Sequence, residues 1–266
     1  MEDFVVSLLI GVLFGIGAVA LVMGVYFAAR RLLSLGEDTH RTHDAASSVA
    51  FRIAALYGLM LALVYAQELD DYKGIRTNLA EEAVAVADVY NDIARYGGTA
   101  VAEVQAGLAR YLSAVVDGEW DRLGRHFGLS ADAWREWDAV YVRLLDLTPQ
   151  TDRERYLANR MRDRATAIAR FRQIRETTAV GAFSGLFWGP AAMGLALLTI
   201  PFYVFPPTWN NLALLSVFGL YSGVVLFFIY MFANPFEPPG KLPPTPFIQL
   251  LEGDIGKSLR ATTPGA

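Results

Sequence analysis

The 266-residue chain contains no cysteine. This absence excludes disulfide bonds, thiolate metal sites and cysteine nucleophiles. The formal net charge of −4 is small and spread along the chain. Nucleic-acid-binding domains are typically basic along one face, so the sequence indicates no nucleic acid among its partners.

Charge of either sign is missing from the sixty residues 177–236. A membrane-spanning helix needs about 20 mostly apolar residues, because hydrocarbon offers backbone groups no hydrogen-bond partner. The stretch is long enough for two spans, which we place at about 182–205 and 211–233. The residues 206–211 between them, Pro-Pro-Thr-Trp-Asn-Asn, suit a turn at the membrane surface.

A second uncharged run predicts a first span at about residues 4–29, where Gly11 and Gly15 form a GxxxG spacing that favours close approach of another helix. The acidic start of the chain and the length of this run argue against a cleaved signal peptide. A further span at about 47–67 contains Arg52. This arginine either snorkels to the membrane surface or faces a pore. The sequence thus predicts four spans and the lipid bilayer as a partner.

Residues 69–178 are more polar than the predicted spans. Within them, apolar residues recur at the helical intervals of three and four: Tyr72, Ile75, Leu79, Ala83, Val86, Tyr90 and Ile93. No proline interrupts 45–96, so we expect the second span to continue beyond the membrane as one long helix that ends at Gly97-Gly98. Thr99 is the predicted cap of a second helix, a third helical segment is expected after Ser130, and Thr148-Pro149 is predicted to open a fourth. Along that helix the expected apolar stripe is Leu157, Met161, Ala165, Ile168, Phe171 and Ile174.

The predicted fold class is all-α, with four transmembrane helices and a helical extramembrane bundle inserted between the second and third spans. The expected domains are a first transmembrane pair (1–68), the helical domain (69–178), a second transmembrane hairpin (179–234) and a proline-rich extended tail (235–266). Within the tail, residues 247–251 are a candidate docking segment.

Residues that could carry chemistry are few. His40 and His43 stand three apart and could offer metal ligands, but a solvated pair is the default interpretation. Glu81 and Glu82 are adjacent on a helix, so they point in different directions and do not form an acid–base pair. We therefore expect no enzyme activity, no cofactor and no metal site.

One set of short motifs is ordered along nearly the whole chain: Arg41-x-x-Asp44, Glu82-Ala83, Tyr111, Glu119-Trp120, the arginines from Arg162 to Arg175, and Asn234-Pro235-Phe236. In this order and spacing the sequence resembles the bestrophin-like family of bacterial and plant membrane proteins. Bestrophins proper are anion channels. The resemblance implies a homo-oligomer, commonly of five subunits, around a pore lined by the second span.

The chain also departs from that family. After Phe236 it reads Glu-Pro-Pro-Gly instead of the acidic run that binds calcium in animal bestrophins, so calcium control is not implied. The phenylalanine-rich pore neck of the animal proteins is missing from the second span, so selectivity and gating do not transfer.

The second span supplies the pore-lining candidates. Five of them lie near one face of the helix: Ile53, Tyr57, Met60, Val64 and Gln67. Arg52 is the sixth candidate. The small residues Ala55, Gly58 and Ala62 form another face, which we expect to pack between helices. The bulky face is then a candidate hydrophobic constriction, with lipid or core contact as the alternative. Candidates for a basic vestibule that concentrates anions are Arg162, Arg172, Arg175 and Glu82. The alternative for these charges is a solvated helix with local ion pairs.

The leading functional hypothesis is an oligomeric membrane ion channel for small anions. The alternative is a membrane-anchored sensor or scaffold whose helical domain binds a partner protein through Trp120, Trp134 and Trp137. We expect a multi-pass protein of the cell (inner) membrane. Acidic residues before the first span and Arg30-Arg31 after it place the amino terminus outside. The resemblance instead places the helical domain in the cytoplasm, which we favour.

Overall fold

The computed structural model describes residues 2–33, 40–180 and 187–257, apart from the side chains of residues 2, 40–42 and 180. Every regular element in these ranges is helical, which confirms the predicted all-α class. The α-helices are α1 (Glu2–Leu33), α2 (His40–Tyr96), α3 (Ala100–Ala114), α4 (Trp120–Gly124), α5 (Ala131–Leu145), α6 (Asp152–Val180), α7 (Trp188–Thr199), α8 (Trp209–Ala233) and α9 (Thr245–Glu252). A π-helical turn, Val115–Glu119, joins α3 to α4, and a 3₁₀ turn, Ile200–Val204, follows α7.

Helix α2 is a single helix of 57 residues, as the absence of proline predicted. It ends at Tyr96, directly before Gly97 and Gly98. Both glycines have φ of +84°, a left-handed conformation that costs little without a Cβ. The predicted stop is therefore confirmed, together with its physical cause.

Three helices are long and apolar enough to cross a membrane: α1, α2 and α8. The apolar segment Trp188–Val204 is shorter. The third predicted span, 182–205, begins in residues outside the described ranges. The remainder is helical up to Val204 but changes from α to 3₁₀ geometry at Ile200.

The chain divides into two compact units. The first comprises Met1–Tyr72, Phe183–Asn234 and Pro238–Gly240, and its core is built from apolar side chains of α1, α2, α7 and α8. Glycines bring α1 and α8 together: a Cβ placed on Gly223 would lie 2.6 Å from the Phe14 carbonyl oxygen and 2.8 Å from the Gly15 Cα. The GxxxG segment thus accommodates α8.

The second unit comprises Lys73–Ala182, Pro235–Glu237 and Lys241–Ala266. Its helix α3 begins directly after the predicted cap Thr99, and α5 begins directly after Ser130, as expected. Only Ser130 accepts a side-chain capping bond, from the Asp132 N–H at 3.2 Å.

Helix α6 begins at Asp152, so the prediction that Thr148-Pro149 opens it was wrong. Thr151 instead caps this helix: its hydroxyl accepts from the Glu154 N–H at 3.2 Å, while the Glu154 carboxylate accepts from the Thr151 N–H at 3.3 Å. This reciprocal capping box satisfies two backbone donors at the start of the helix, whereas the side chain of Pro149 has no acceptor atom.

The tail is not extended throughout, because residues 245–252 form α9. The candidate docking segment 247–251 lies within this helix, and Phe247 is fully buried. The Phe247 ring packs 5.9 Å from that of Trp120, whose indole N–H donates to the Leu242 carbonyl at 2.7 Å. These contacts hold the tail on the second unit.

Candidate functional site

The membrane segment of α2 has one face packed in the first unit and one face open. Tyr57 and Leu61 belong to the core, and Ile53, Met60 and Val64 pack against it. A Cβ on Gly194 of α7 would lie 2.5 Å from the Tyr57 ring, which shows how closely the two helices approach. The bulky face is therefore an internal packing face of the protomer.

The open face of the same segment carries a stripe of leucines. Leu56, Leu59 and Leu63 are 71%, 59% and 64% exposed. Arg52 and Gln67 are also exposed and lie at the two ends of this stripe. At 100° per residue, the three leucines and these two residues fall within about 80° around the helix axis, so they share one face. Four of the six pore-lining candidates thus face the protomer core, and Arg52 and Gln67 do not.

The small-residue face behaves differently from expectation within the protomer. Ala55, Gly58 and Ala62 are exposed, and a Cβ on Gly58 would have no neighbour within 4 Å. Within the protomer none of the described helices packs on this face, because α2 meets α7 where α7, rather than α2, supplies the glycine. Packing of this face against another copy stays a prediction.

The interior of the second unit holds a cluster of four charged side chains, Glu82, Glu119, Arg172 and Arg175, each at most 2% exposed. Arg175 donates from Nη1 to Glu82 at 2.7 Å and from Nη2 to Glu119. Arg172 donates from Nη2 to Glu119 at 3.0 Å. With all four groups ionised, two carboxylates balance two guanidiniums, which offsets much of the cost of removing the charges from water.

The π-helical turn positions Glu119 in this cluster. The additional residue in the turn shifts the helical register between α3 and α4, and both Val115 and Glu119 point inward. The Glu119 carboxylate also accepts from the Ser130 N–H at 3.0 Å, so the same group holds the start of α5. Glu119 therefore links the π-helical turn to α5 and α6.

Aromatic rings surround the two guanidiniums. Arg172 lies 4.5 Å from the Trp134 ring centroid and 5.2 Å from that of Tyr111. Arg175 lies 5.4 Å from the Trp120 ring and 5.7 Å from the Phe247 ring of the tail. Ring faces attract these cations, and this interaction strengthens where water is excluded.

The cluster shifts the proton affinities of its members. Burial raises the pKa of Glu82, and the charge of Arg175 and a hydrogen bond from the Tyr111 hydroxyl offset part of the rise. Burial also raises the pKa of Tyr111. For Arg175, burial alone would lower the pKa, but Glu82 and Glu119 raise it on balance. The tyrosine and the arginine therefore keep their protons, and burial favours the uncharged form of Glu82.

The vestibule candidates occupy interior or capping positions in the protomer. Glu82, Arg172 and Arg175 belong to the buried cluster. Their burial does not support a role in a vestibule, which stays a prediction. Arg162 donates to the carbonyls of Leu144, Leu145 and Leu147 at 3.0–3.2 Å. It thereby satisfies acceptors at the end of α5 that have no partner within that helix.

Glu119 and Tyr111 entered the sequence analysis only as motif residues, without a role. The spacing of apolar residues does not predict a buried carboxylate next to a π-helical turn. A signal does exist for the arginines, because Arg172 and Arg175 continue the buried series Met161, Ala165 and Ile168 at intervals of three and four.

The tryptophans of the proposed partner-binding surface are partly internal. Trp120 is buried, and Trp134 and Trp137 are half-buried with their rings 5.3 Å apart. Among the described residues no three His, Asp or Glu side chains are grouped as metal ligands, and the side chain of His40 lies outside the described ones.

Solved structures share this architecture. Bacterial bestrophin homologues from Klebsiella pneumoniae match over almost the whole chain. A variant with an isoleucine-to-threonine substitution has a TM-score of 0.63 at 13% identity, covering 94% of this chain and 99% of its own. A leucine-to-threonine variant has a TM-score of 0.61 at 14% identity, covering 96% and 99%. No curated protein matches the sequence.

The fold defines a membrane protein of the bestrophin architecture. The Bestrophin-like domain matches residues 16–247, which is most of the chain, so the protein belongs to the Bestrophin-like family. The resemblance predicted from the ordered motifs is thereby confirmed.

Proposed function

We propose that the protein is an oligomeric ion channel of the cell inner membrane, with four spans per subunit and a path lined by the second span. The observation that carries the proposal is the open leucine stripe on α2, Leu56, Leu59 and Leu63, in a chain of the Bestrophin-like family. Four helices are too few to surround a hydrated path, so several copies are required, five by the family resemblance.

In this proposal the path is lined by the open face of α2 and not by the face that carries Tyr57. The leucines form a hydrophobic constriction that conducts when wetted and closes when dewetted. Arg52 lies at one end of the stripe and has no ion-pair partner among the described residues. A ring of such cations attracts anions, which supports small anions as the permeant species.

The helical domain is proposed to face the cytoplasm, on the basis of the family resemblance. A cysteine introduced at Thr99, an exposed residue directly before α3, tests this orientation, since the natural chain has none. Labelling of that cysteine in intact cells by a membrane-impermeant reagent would reverse the assignment.

Ion flux into liposomes tests the channel itself. Purified protein is reconstituted and flux is measured for chloride, nitrate, sodium and potassium in separate vesicles, with protein-free vesicles as the control. The expected result is anion flux. Flux of cations alone would contradict the proposal that anions are the permeant ions. The absence of flux for every ion would refute conduction and favour the partner-binding scaffold.

A further inference from the structure

An apolar cavity of about 300 Å³ lies within the first unit, where α2 begins and the 3₁₀ turn follows α7. One wall is built from Ala46, Ala50 and Ala54, and the opposite wall contains the rings of Phe202, Phe205 and Phe218. The alanines recur every four residues, so they form one strip of α2. The cavity is present because the short alanine side chains do not reach the aromatic rings on the other side.

The cavity opens to the surface of the first unit on a side of α2 that differs from the leucine stripe. Phe51, which is part of its lining, is 77% exposed and lies about 120° around the helix from the centre of that stripe at 100° per residue. Trp209, at the start of α8, is 83% exposed. Tryptophan at such a position is typical of the boundary between hydrocarbon and headgroups. A molecule entering the cavity therefore comes from the bilayer, just below the headgroups.

A cationic group lies at the same end. The Phe205 carbonyl accepts from the Arg30 guanidinium at 2.9 Å and from the Tyr26 hydroxyl at 2.9 Å. Arg30 also donates to the Tyr203 carbonyl at 3.2 Å. The His43 ring packs edge-on against the Phe205 ring, with centroids 5.3 Å apart. Phe205 thus contributes its ring to the cavity while its backbone holds Arg30 beside it.

We propose that this cavity binds one acyl chain of an anionic phospholipid whose phosphate lies next to Arg30. The volume falls at the lower end of the range for ligand pockets in proteins, and the lining offers almost no polar partner, which favours a hydrocarbon chain. The fixed guanidinium gives the lipid a charge-complementary headgroup position. This site depends on the membrane setting and is independent of ion conduction.

Photo-crosslinking in nanodiscs tests the site on the full-length protein. The probe is phosphatidylglycerol with a diazirine in its acyl chain, compared with phosphatidylcholine carrying the same diazirine chain. After illumination, labelled peptides are mapped by mass spectrometry. The expected result is labelling of residues 46–54 and 198–205 above the level at the exposed stretch 8–16 of α1, and more labelling by phosphatidylglycerol than by phosphatidylcholine.

Two substitutions fill the cavity: Ala50→Trp and the milder Ala54→Leu. Ala50→Trp is expected to reduce labelling of 198–205 by about tenfold, because a ring occupies the volume that the chain requires. Ala55→Trp, on the exposed small-residue face of the same helix and outside the cavity lining, is the matched control and keeps the labelling. Equal labelling by the two lipids, or labelling that survives both cavity-filling substitutions, would overturn the proposal.

Discussion

The Glu119 carboxylate accepts hydrogen bonds from Arg172, Arg175 and the Ser130 N–H, all in the interior of the second unit. Glu119→Gln keeps the size of the side chain but leaves two buried guanidiniums with one carboxylate between them. Removing one partner of a buried ion pair costs about 3–5 kcal/mol. We expect a loss of that order, measured by urea unfolding of the detergent-solubilised protein, followed by tryptophan fluorescence.

The control for this substitution is Glu136→Gln, which breaks a partly exposed ion pair with Arg110 at 2.7 Å. Exposed pairs contribute about 0–1 kcal/mol, so this variant is expected to unfold close to the wild type. Similar losses in the two variants would show that Glu119 does not hold the cluster together.

Glu82 gives the stability of the second unit a dependence on pH. Because burial raises its pKa, the folded state binds the proton more tightly than the unfolded state does. The resulting stabilisation is complete below the unfolded pKa, near 4.5, and is lost as pH rises through the raised folded value. The thermal midpoint of the wild type minus that of Glu82→Gln should therefore fall with rising pH in this window.

Glu81→Gln is the matched comparison, since Glu81 is adjacent and exposed. The comparison separates the effect of burial at Glu82 from that of substituting a glutamate on the surface of the same helix. A wild-type advantage over Glu82→Gln that grows with pH would mean that Arg175 and Tyr111 outweigh burial and keep Glu82 ionised.

The sequence located the stripe of α6 but not its charged continuation. Apolar residues alone predicted Phe171 and Ile174 as its last members, whereas the buried positions are Arg172 and Arg175. The helical period fits both pairs, and hydrophobicity favours the wrong one. Only the partners Glu82 and Glu119, distant in sequence, make burial of two arginines favourable, and periodicity contains no information on them.

At the scale of elements, the contact between α1 and α8 depends on glycine. A Cβ on Gly223 would meet backbone atoms of α1 at 2.6–2.8 Å, and backbone cannot rotate away as a side chain can. Gly223→Ala is therefore expected to destabilise the first unit by about 1–3 kcal/mol, the usual range for overpacking. The measurement is the thermal midpoint of the detergent-solubilised protein.

Gly17→Ala on α1 is the control, because its Cβ would have no neighbour within 4 Å. A helical alanine is intrinsically favoured over glycine, so this variant should match or slightly exceed the wild-type midpoint. An equal fall in the thermal midpoint of both variants would show that the close approach of α1 and α8 is not the cause.

Helix boundaries were predictable where backbone chemistry decides them and unpredictable where tertiary contacts do. The end of α2 at Gly97 and the start of α5 after Ser130 follow from local conformation and capping. The π-helical turn Val115–Glu119 has no such local signal. Its register shift is compensated by the ion pairs that Glu119 forms with α6, far along the chain.

For the whole molecule, the uncharged runs predicted a membrane protein, but the orientation of α2 required the structure. The small residues of α2 were expected to pack and its bulky residues to line a path. Within the protomer the bulky residues pack, because Gly194 of α7 accommodates Tyr57, and the small residues are exposed. A sequence shows the faces of a helix, whereas the surfaces of its neighbours determine which face packs.

Introduced cysteines distinguish a water-filled path from contact with lipid, since the chain has no native thiol to react. Leu59→Cys replaces an exposed residue of the stripe on α2, and Leu13→Cys replaces a comparably exposed residue on α1, at 59% and 68%. A charged, membrane-impermeant thiol reagent reacts with thiolate in water and does not enter hydrocarbon. If the stripe lines a path, the reagent labels Leu59→Cys in liposomes and alters flux, while Leu13→Cys stays unlabelled. Should both positions resist the reagent under conducting conditions, the leucine stripe faces lipid and the path lies along another helix.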